Sequence, residues 1–242
     1  MINIFRTHYS IGRGIIQAND YSDKLKVPNL VNICKNHNIS QCYVADFSMA
    51  GFWPIYNSLS KEGVSLVFGL ICEFVSNASE QSNTSCHRNI IFVKNEAGYK
   101  KLIRISTKAN TDFFYEFPRL DYNYLRSQWS DDLVLGVPFY DGFIARNYLR
   151  TESCVPEFGA IKPVLFYEDN GLPFDAALKA KTLEYCDASG YEVVESQMVY
   201  YEKPEHALAL LARKCMVRSG GKQKTIERPE LAHFGSNQFF PK

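Results

Sequence analysis

Residues 87–102, HRNIIFVKNEAGYKKL, join a strand pattern directly to a helix pattern. The apolar run from Asn89 to Val93 predicts a buried strand. The residues from Glu96 to Ala109 carry apolar side chains at helical spacing, which predicts an amphipathic helix. A strand followed at once by a helix is the repeating unit of α/β folds.

The same alternation continues on both sides of this stretch. Before it, strands are predicted at 2–5, 41–45, 64–68 and 71–75, and helices at 28–37 and 52–62. After it, strands are predicted at 133–137, 163–167 and 192–194, and helices at 142–149, 173–188 and 204–216. Strands separated by crossover helices imply a mostly parallel sheet, and this many units favour one α/β barrel domain over residues 1–242. Functional residues are then expected at the carboxyl ends of the strands.

Two segments stand outside the alternation. Residues 76–85 are polar and lack apolar periodicity, which predicts a mobile surface loop. Residues 218–242 are rich in Gly and Lys before three phenylalanines, and we expect them to form a C-terminal tail that packs on the barrel.

Composition and charge exclude several classes of protein. Lys and Arg number 27 against 26 Asp and Glu, so no strongly positive field attracts a polyanion, and any DNA contact is expected to be weak or indirect. The seven cysteines are widely spaced and form no C-x-x-C pair, which indicates reduced thiols. Neither a signal peptide nor an apolar run of about 20 residues is recognised, so we expect a cytoplasmic protein without a membrane partner.

Six segments occur along the chain in the order found in one known family. They are FRTHYS at 5–10 with Gly14, VADFS at 44–48 with Gly51, FGLICEF at 68–74, the stretch 87–102, LVLG at 133–136 with Gly142, Ala145 and Arg146, and HFGSN at 233–237 followed by Phe239 and Lys242. Together they resemble the PHP (polymerase and histidinol phosphatase) domain of bacterial-type DNA polymerase III α subunits. The resemblance implies a distorted (β/α)7-type barrel with mostly parallel strands, and a tail that leads toward a polymerase portion.

Active members of this family hold a cluster of metal ions through His, Asp, Glu and Cys side chains at the barrel mouth, and the metal-bound water attacks a phosphoester. Most of these ligands are missing in this sequence. Ile4 and Arg6 stand at the opening His-x-His, Phe47 replaces the histidine after Asp46, and Met198-Val199-Tyr200 stands at the later Asp-x-His. The resemblance therefore implies a vestigial metal cleft without catalytic residues, formed by Arg6, His8, Asp46, Glu73 and His87.

Asp46, Glu73 and His87 keep ligand-type side chains, and His8 becomes a candidate if the match shifts by one or two residues. Each has a structural interpretation as well. Asp46 could cap a turn, and His87 could be an ordinary exposed histidine, whereas Glu73 within an apolar strand favours the cleft. We further hypothesise that Arg6 replaces the lost metal charge by pairing with Asp46 or Glu73, so that Arg6→Ala costs about 3–5 kcal/mol.

A stripe of basic residues on the predicted helix 96–109 has two interpretations. Its members are Lys100, Lys101, Arg104 and Lys108. Such a stripe is usually a solvated helix face. The alternative is a contact with the phosphate backbone of DNA.

The resemblance implies a catalytically inactive scaffold or docking module in DNA replication, without a cofactor, whose parent protein is a DNA-directed DNA polymerase. Its expected partners are the remaining polymerase domains or other replisome proteins, such as a proofreading exonuclease. The alternative is an active phosphoesterase or 3′–5′ exonuclease that uses Mn, Zn or Mg and unrecognised ligands. A third hypothesis is an independent DNA- or protein-binding module. The sequence leaves open whether the chain is an excised domain or a separate protein.

Overall fold

The computed structural model describes residues 1–10, 14–18, 27–81, 87–216 and 240. Its strands are β1 (Ile2–Phe5), β2 (Gln41–Asp46), β3 (Ser65–Phe74), β4 (His87–Val93), β5 (Arg119–Leu120), β6 (Leu133–Val137), β7 (Val164–Tyr167) and β8 (Glu192–Val199). Its helices are α1 (Leu30–Asn36), α2 (Phe52–Lys61), α3 (Glu96–Asn110), α4 (Tyr122–Gln128), α5 (Phe143–Arg150), α6 (Asp175–Ser189) and α7 (Ala207–Met216).

The chain divides into two compact units. The first contains Met1–Phe68, Asp169–Leu172 and Ser196–Lys242, and the second contains Gly69–Glu168 and Pro173–Glu195. Strands β3 and β8 each contribute residues to both units, because the divisions fall inside these strands.

In the first unit, β1 lies between two parallel neighbours. Phe5 is in register with Val44 of β2 on one side and with Val199 of β8 on the other. Helix α1 begins where the Asn29 side chain accepts a hydrogen bond from the Asn32 backbone N–H, which satisfies one of the free donors of the first turn. Apolar side chains of the strands, α1 and α2 form its buried core: Ile4, Phe5, Leu30, Ile33, Val44, Ile55 and Leu59.

In the second unit, β4 is the antiparallel member. It pairs antiparallel with β3, where Leu70 faces Ile91, and with β6, where Ile91 faces Leu135. Strand β6 pairs parallel with β7, and β7 pairs parallel with β8. The helices of this unit bury apolar stripes that include Leu102, Ile105, Leu125 and Leu178.

The strand order is β2-β1-β8-β7-β6-β4-β3-β5, and β2 also pairs with β3. The pairings therefore close on themselves through seven strands, while β5 extends from β3. This pattern confirms the predicted α/β barrel with mostly parallel strands.

The predicted strands at 64–68 and 71–75 are one strand, β3. Gly69 lies inside this strand, where a Cβ would come within 2.7 Å of the Ile90 and Phe92 side chains of β4. Glycine thus permits a close approach of the neighbouring strand. The two-residue β5 and the seven-residue α4 were not predicted, since neither is long enough to show a clear period. Strand β8 also runs beyond its predicted end at 194.

The two segments outside the alternation are described only in part. Residues 82–86 of the predicted mobile loop lie outside the described residues, whereas Ala78 donates its N–H to Asp121 and accepts from Arg119. The first part of this loop is therefore fixed by hydrogen bonds. Residues 217–239 also lie outside, including the segment 233–237 that resembled the family junction, but Phe240 packs with its ring centroid 5.4 Å from that of Phe5. None of the described helices is long and apolar enough to cross a membrane.

Candidate functional site

Three strand ends of the first unit bring Arg6, Phe47 and Tyr200 to one edge of the sheet. Each residue directly follows its strand, β1, β2 or β8. Because these strands are parallel neighbours, their carboxyl ends meet at the same edge. The Arg6 backbone N–H donates to the Val199 carbonyl at 2.8 Å, which extends the β1–β8 pairing to the site.

Asp46, the last residue of β2, uses both carboxylate oxygens within the protein. Oδ1 accepts from the Thr7 backbone N–H at 3.0 Å and from the Ser10 hydroxyl at 2.6 Å. Oδ2 accepts from the Thr7 hydroxyl at 2.6 Å. Asp46 is fully buried, so it stabilises the turn from Thr7 to Ser10. The sequence indicated that Asp46 could cap a turn. Asp46 does bond to a turn, but this turn follows β1 and does not follow Asp46 itself.

The Arg6 side chain is only 2% exposed, but it does not pair with Asp46. None of the ion pairs between described residues includes Arg6, so the predicted pairing with Asp46 or Glu73 is wrong. The reason is that Thr7 and Ser10 already occupy the Asp46 oxygens. The Arg6 guanidinium instead lies 5.0 Å from the Phe47 ring centroid and 5.8 Å from that of Tyr200. Its Nε and Nη1 have no hydrogen-bond partner among the described residues.

His8 lies next to this edge and contacts helix α7. Its backbone N–H donates to the Ile16 carbonyl at 2.9 Å, and its ring lies 4.2 Å from that of Tyr9. Burial lowers the pKa of His8, and the positive charge of Arg213 lowers it further, against opposing effects of the Ile16 hydrogen bond and Asp46. Arg213 Nη2 donates to the His8 carbonyl at 3.3 Å. The ring Nδ1 has no partner among the described residues.

Helix α7 adds a second cation that the sequence did not assign to the site. Lys214 Nζ lies 5.9 Å from the Tyr200 ring centroid. Its position in the chain, long after Arg6, gave no signal of this proximity. A sequence search for basic residues in the last helix would have found Arg213 and Lys214, but not that Lys214 lies near the Tyr200 ring.

Glu73 belongs to the second unit, where it forms an ion pair with its cross-strand neighbour. Register places Arg88 of β4 opposite Glu73, and Arg88 Nε lies 2.5 Å from Glu73 Oε1. Arg88 Nη1 lies 3.0 Å from Asp141 Oδ2. Although burial opposes it, the carboxylates of Asp141 and Glu73 raise the pKa of Arg88. The sequence interpretation missed this pair because strand register is not visible in the sequence.

His87 is also in the second unit, and its ring is buried at 4% exposure, so the exposed interpretation is wrong. Its Nε2 lies 2.7 Å from the Tyr122 hydroxyl. The rings of Phe74, Tyr122 and Phe143 surround it at centroid distances of 5.8–6.1 Å. Burial, with a smaller contribution from the positive charge of Arg146, lowers the pKa of His87 to about 4.

The described donors do not fit a family-type metal cluster. In the first unit, Arg6 stands where the resemblance predicted a ligand, and the Asp46 oxygens accept hydrogen bonds from Thr7 and Ser10. In the second unit, Glu73 pairs with Arg88, and His87 shares its Nε2 with Tyr122. Within the described ranges, no group of three or more His, Cys, Asp or Glu side chains is arranged to hold a metal ion.

The predicted basic stripe lies on α3. Two of its members form ion pairs, one with an acidic residue of α3 and one with an acidic residue just after the helix. Lys100 Nζ lies 2.7 Å from Glu96, and Lys108 Nζ lies 2.5 Å from Asp112. Lys101 and Arg104 lie on the same helix. The arrangement is that of a solvated helix face, and it leaves only part of the stripe available to a phosphate backbone.

A family model described as "PHP domain" matches residues 5–194. The chain is similar to DNA polymerase III subunit alpha of Aquifex aeolicus, with 24% identity over 204 residues, 76% of this chain and 18% of that protein. It is similar to the same subunit of Borreliella burgdorferi, with 24% identity over 232 residues, 90% and 20% of the two chains. It is also similar to the same subunit of Helicobacter pylori strain J99, with 29% identity over 219 residues, 81% of this chain and 18% of that protein.

The chain thus spans about a fifth of the length of the curated relatives it matches. A crystal structure of a protein assigned as a metal-dependent phosphoesterase, from Bifidobacterium adolescentis, covers 81% of this chain and 87% of its own. Its TM-score is 0.48, at 9% identity.

Proposed function

This chain belongs to the PHP domain family, and from that membership we propose that it is a catalytically inactive domain of a replicative DNA polymerase of the DNA polymerase III α type. Its role is that of a scaffold or docking module in cytoplasmic DNA replication. The partners are the remaining polymerase domains or other replisome proteins, such as a proofreading exonuclease. The names of the curated relatives support this role.

The observation that carries the proposed inactivity is the engagement of Asp46. Metal-assisted hydrolysis needs carboxylate and imidazole lone pairs to hold the ions. Three donors from Thr7 and Ser10 occupy the Asp46 oxygens. Arg6, at a family ligand position, has no lone pair to offer to a metal ion. We therefore propose that no metal cofactor is bound and that no metal-activated water is available.

Retention of the folded framework supports the scaffold role. Arg119 is buried and donates to the carbonyls of Phe113, Ala78 and Glu80, at 3.0–3.2 Å. This network ties β5 to the loop that follows β3 and to the segment that follows α3, and none of these groups belongs to the predicted metal cleft. Such hydrogen bonds stabilise a fold, independent of any catalysis.

An exposed aromatic pair on α2 supports the docking role. Trp53 is 66% exposed and Tyr56 is 44% exposed, and their ring centroids lie 6.1 Å apart. Tryptophan and tyrosine are enriched in the centres of protein interfaces, because they bury a large area at low entropic cost. We propose that this pair contacts the remaining domains of the polymerase.

Metal analysis and activity assays test the inactivity. Purified protein is analysed for bound metal and assayed with a phosphomonoester and with single-stranded DNA, each with Mn, Zn or Mg. The expected result is substoichiometric metal and no turnover above buffer. Stoichiometric Mn or Zn together with metal-dependent turnover would refute the proposal, whether or not an Asp46 variant folds well enough to be compared.

Co-purification tests the docking role separately. The chain is mixed with the remaining polymerase domains, and retention is compared for the natural chain, a Trp53→Ala/Tyr56→Ala variant and a Leu208→Ala control. Leu208 is 62% exposed on α7 and is not part of the aromatic pair. Retention should fall for the double variant alone. Equal retention of all three proteins would exclude α2 as the contact surface.

A further inference from the structure

We infer that the sheet edge formed by the ends of β1, β2 and β8 binds a phosphate-class anion directly, without a metal ion, with Arg6 as its principal contact. The inference rests on one part of the proposed function, the absence of metal ions at this edge. It does not depend on the scaffold role.

The first observation is a buried cation whose donors are unused. Arg6 is 2% exposed, and its Nε and Nη1 have no hydrogen-bond partner within the described residues. A buried, unpaired charge is costly, and the contacts with the Phe47 and Tyr200 rings offset only part of that cost. An anion that accepts from the two free nitrogens would satisfy both the charge and the donors.

The second observation is that further positive charge converges on the same edge. Arg6 and Lys214 both lie within 6 Å of the Tyr200 ring centroid, at 5.8 Å and 5.9 Å. Arg213, the neighbour of Lys214, contacts the His8 carbonyl, and its Nε has no partner in the described structure. Two arginines and a lysine from distant parts of the chain therefore approach one edge.

The nearby carboxylate does not neutralise this charge locally through an ion pair. Asp46 directs its oxygens to Thr7 and Ser10. Of the ion pairs between described residues, none includes Arg6 or Arg213. These two guanidinium groups therefore keep positive charges that an incoming anion can balance.

The charge and the geometry favour phosphate over a carboxylate. A phosphate monoester carries close to two negative charges near neutral pH and presents three acceptor oxygens, which matches several cations better than a monoanion does. The planar guanidinium can donate two parallel hydrogen bonds to it. The carboxyl ends of parallel strands are also the usual position of ligands in α/β folds.

Thermal unfolding with inorganic phosphate tests the inference. The chelator-treated full chain is unfolded in sodium phosphate and in sodium chloride of equal ionic strength. Phosphate should raise the Tm of the natural chain by roughly 5 °C or more at about 100 times its Kd. The increment should vanish in Arg6→Met, which keeps an unbranched side chain of similar length without the charge. It should persist in Arg104→Met, a control that removes an exposed arginine on α3.

An equal phosphate increment in the natural chain and in Arg6→Met would overturn the inference, and so would no increment in the natural chain. If Arg6→Met does not fold, calorimetric titration of the natural chain and of Lys214→Met with inorganic phosphate replaces it. The expected result is then a Kd that is weaker by several-fold in Lys214→Met. An unchanged Kd would contradict the site.

Two further arms identify the source of the phosphate and separate this inference from the proposed function. Short oligonucleotides with and without a 5′-phosphate are compared, and a response to the phosphorylated one alone indicates a nucleic-acid end. If the two oligonucleotides give equal responses, and Arg6→Met does not change these responses, the result counts against the site. Phosphate binding that appears only after Mn or Zn is added would refute both proposals, whereas a metal-free protein that binds no phosphate refutes this one alone.

Discussion

Thr7 donates two hydrogen bonds to Asp46, one from its backbone N–H at 3.0 Å and one from its hydroxyl at 2.6 Å. These bonds connect the turn after β1 to the end of β2. Asp46 therefore stabilises the backbone of this turn. Its neighbour Arg6 forms no ion pair with any described residue and lies near the rings of Phe47 and Tyr200.

Replacing Asp46 with Asn should destabilise the protein by about 2–4 kcal/mol, because a buried acceptor of three hydrogen bonds becomes partly a donor. Urea unfolding measures the change. Asp112→Asn is the control, since Asp112 is exposed and its ion pair with Lys108 lies at the surface, and it should change stability by less than about 1 kcal/mol. Equal stability of the Asp46 variant and the natural chain would show that the hydrogen bonds contribute nothing.

Replacing Arg6 with Met should not cost the 3–5 kcal/mol expected from a buried ion pair. Without phosphate, the loss should stay below about 1 kcal/mol, because removal of an unpaired buried charge offsets the lost ring contacts. Arg119→Met is the matched buried control. It removes the donors of three backbone carbonyls and should cost about 3–5 kcal/mol. Equal large losses in both variants would indicate an Arg6 partner of comparable strength.

Arg88→Met should destabilise the protein by about 3–5 kcal/mol, because it leaves the largely buried Glu73 carboxylate without its partner. Adding Glu73→Gln to this variant should recover part of the loss, since the unpaired charge is then removed. A double-mutant cycle by urea unfolding measures the coupling. Strictly additive losses would show that the two side chains do not interact energetically.

His87 should make stability fall in acid. Its pKa is lowered from the ordinary 6.5 to about 4 in the folded chain, so the unfolded chain binds the proton more readily between these values. The contribution of His87 to the free energy of unfolding is fully present above about pH 6.5. It is lost as the pH falls toward 4, by about 3 kcal/mol in total. Comparing urea unfolding of the natural chain and of His87→Phe across this range isolates the effect, because His8 titrates in both. Parallel pH profiles would contradict the lowered pKa.

DNA binding by the chain should be weak and should decline steeply with salt. The chain has a net charge of only +1, and Lys100 and Lys108 of α3 are paired with acidic neighbours. Fluorescence anisotropy over a range of salt concentrations gives the slope. Lys101→Glu/Arg104→Glu tests the stripe, with Lys35→Glu on α1 as an exposed control. Tight binding that persists at high salt would contradict this prediction.

The sequence alone determined the alternation of strands and helices and the family. The bounds of β1 and β6 agree with those predicted. Helices α2 and α3 differ from the prediction by one residue at one end, and α5 differs by one residue at each end. This succeeded because strand and helix periods are local properties of the chain, visible over 5–15 residues. The identities of Arg6 and Phe47, on which the hypothesis of a vestigial metal cleft rests, were equally visible in the sequence.

The tertiary structure alone decided which partners these residues have. The pairing of Glu73 with Arg88 follows from the register of β3 and β4, and a shift by one residue would have separated them. Asp46 has the charge to pair with Arg6, but its carboxylate accepts a hydrogen bond from the Thr7 hydroxyl instead. Lys214, in the last helix, lies near the Tyr200 ring. Such contacts join residues that are far apart in sequence. They depend on the packing of whole elements, which no local pattern of residue types specifies.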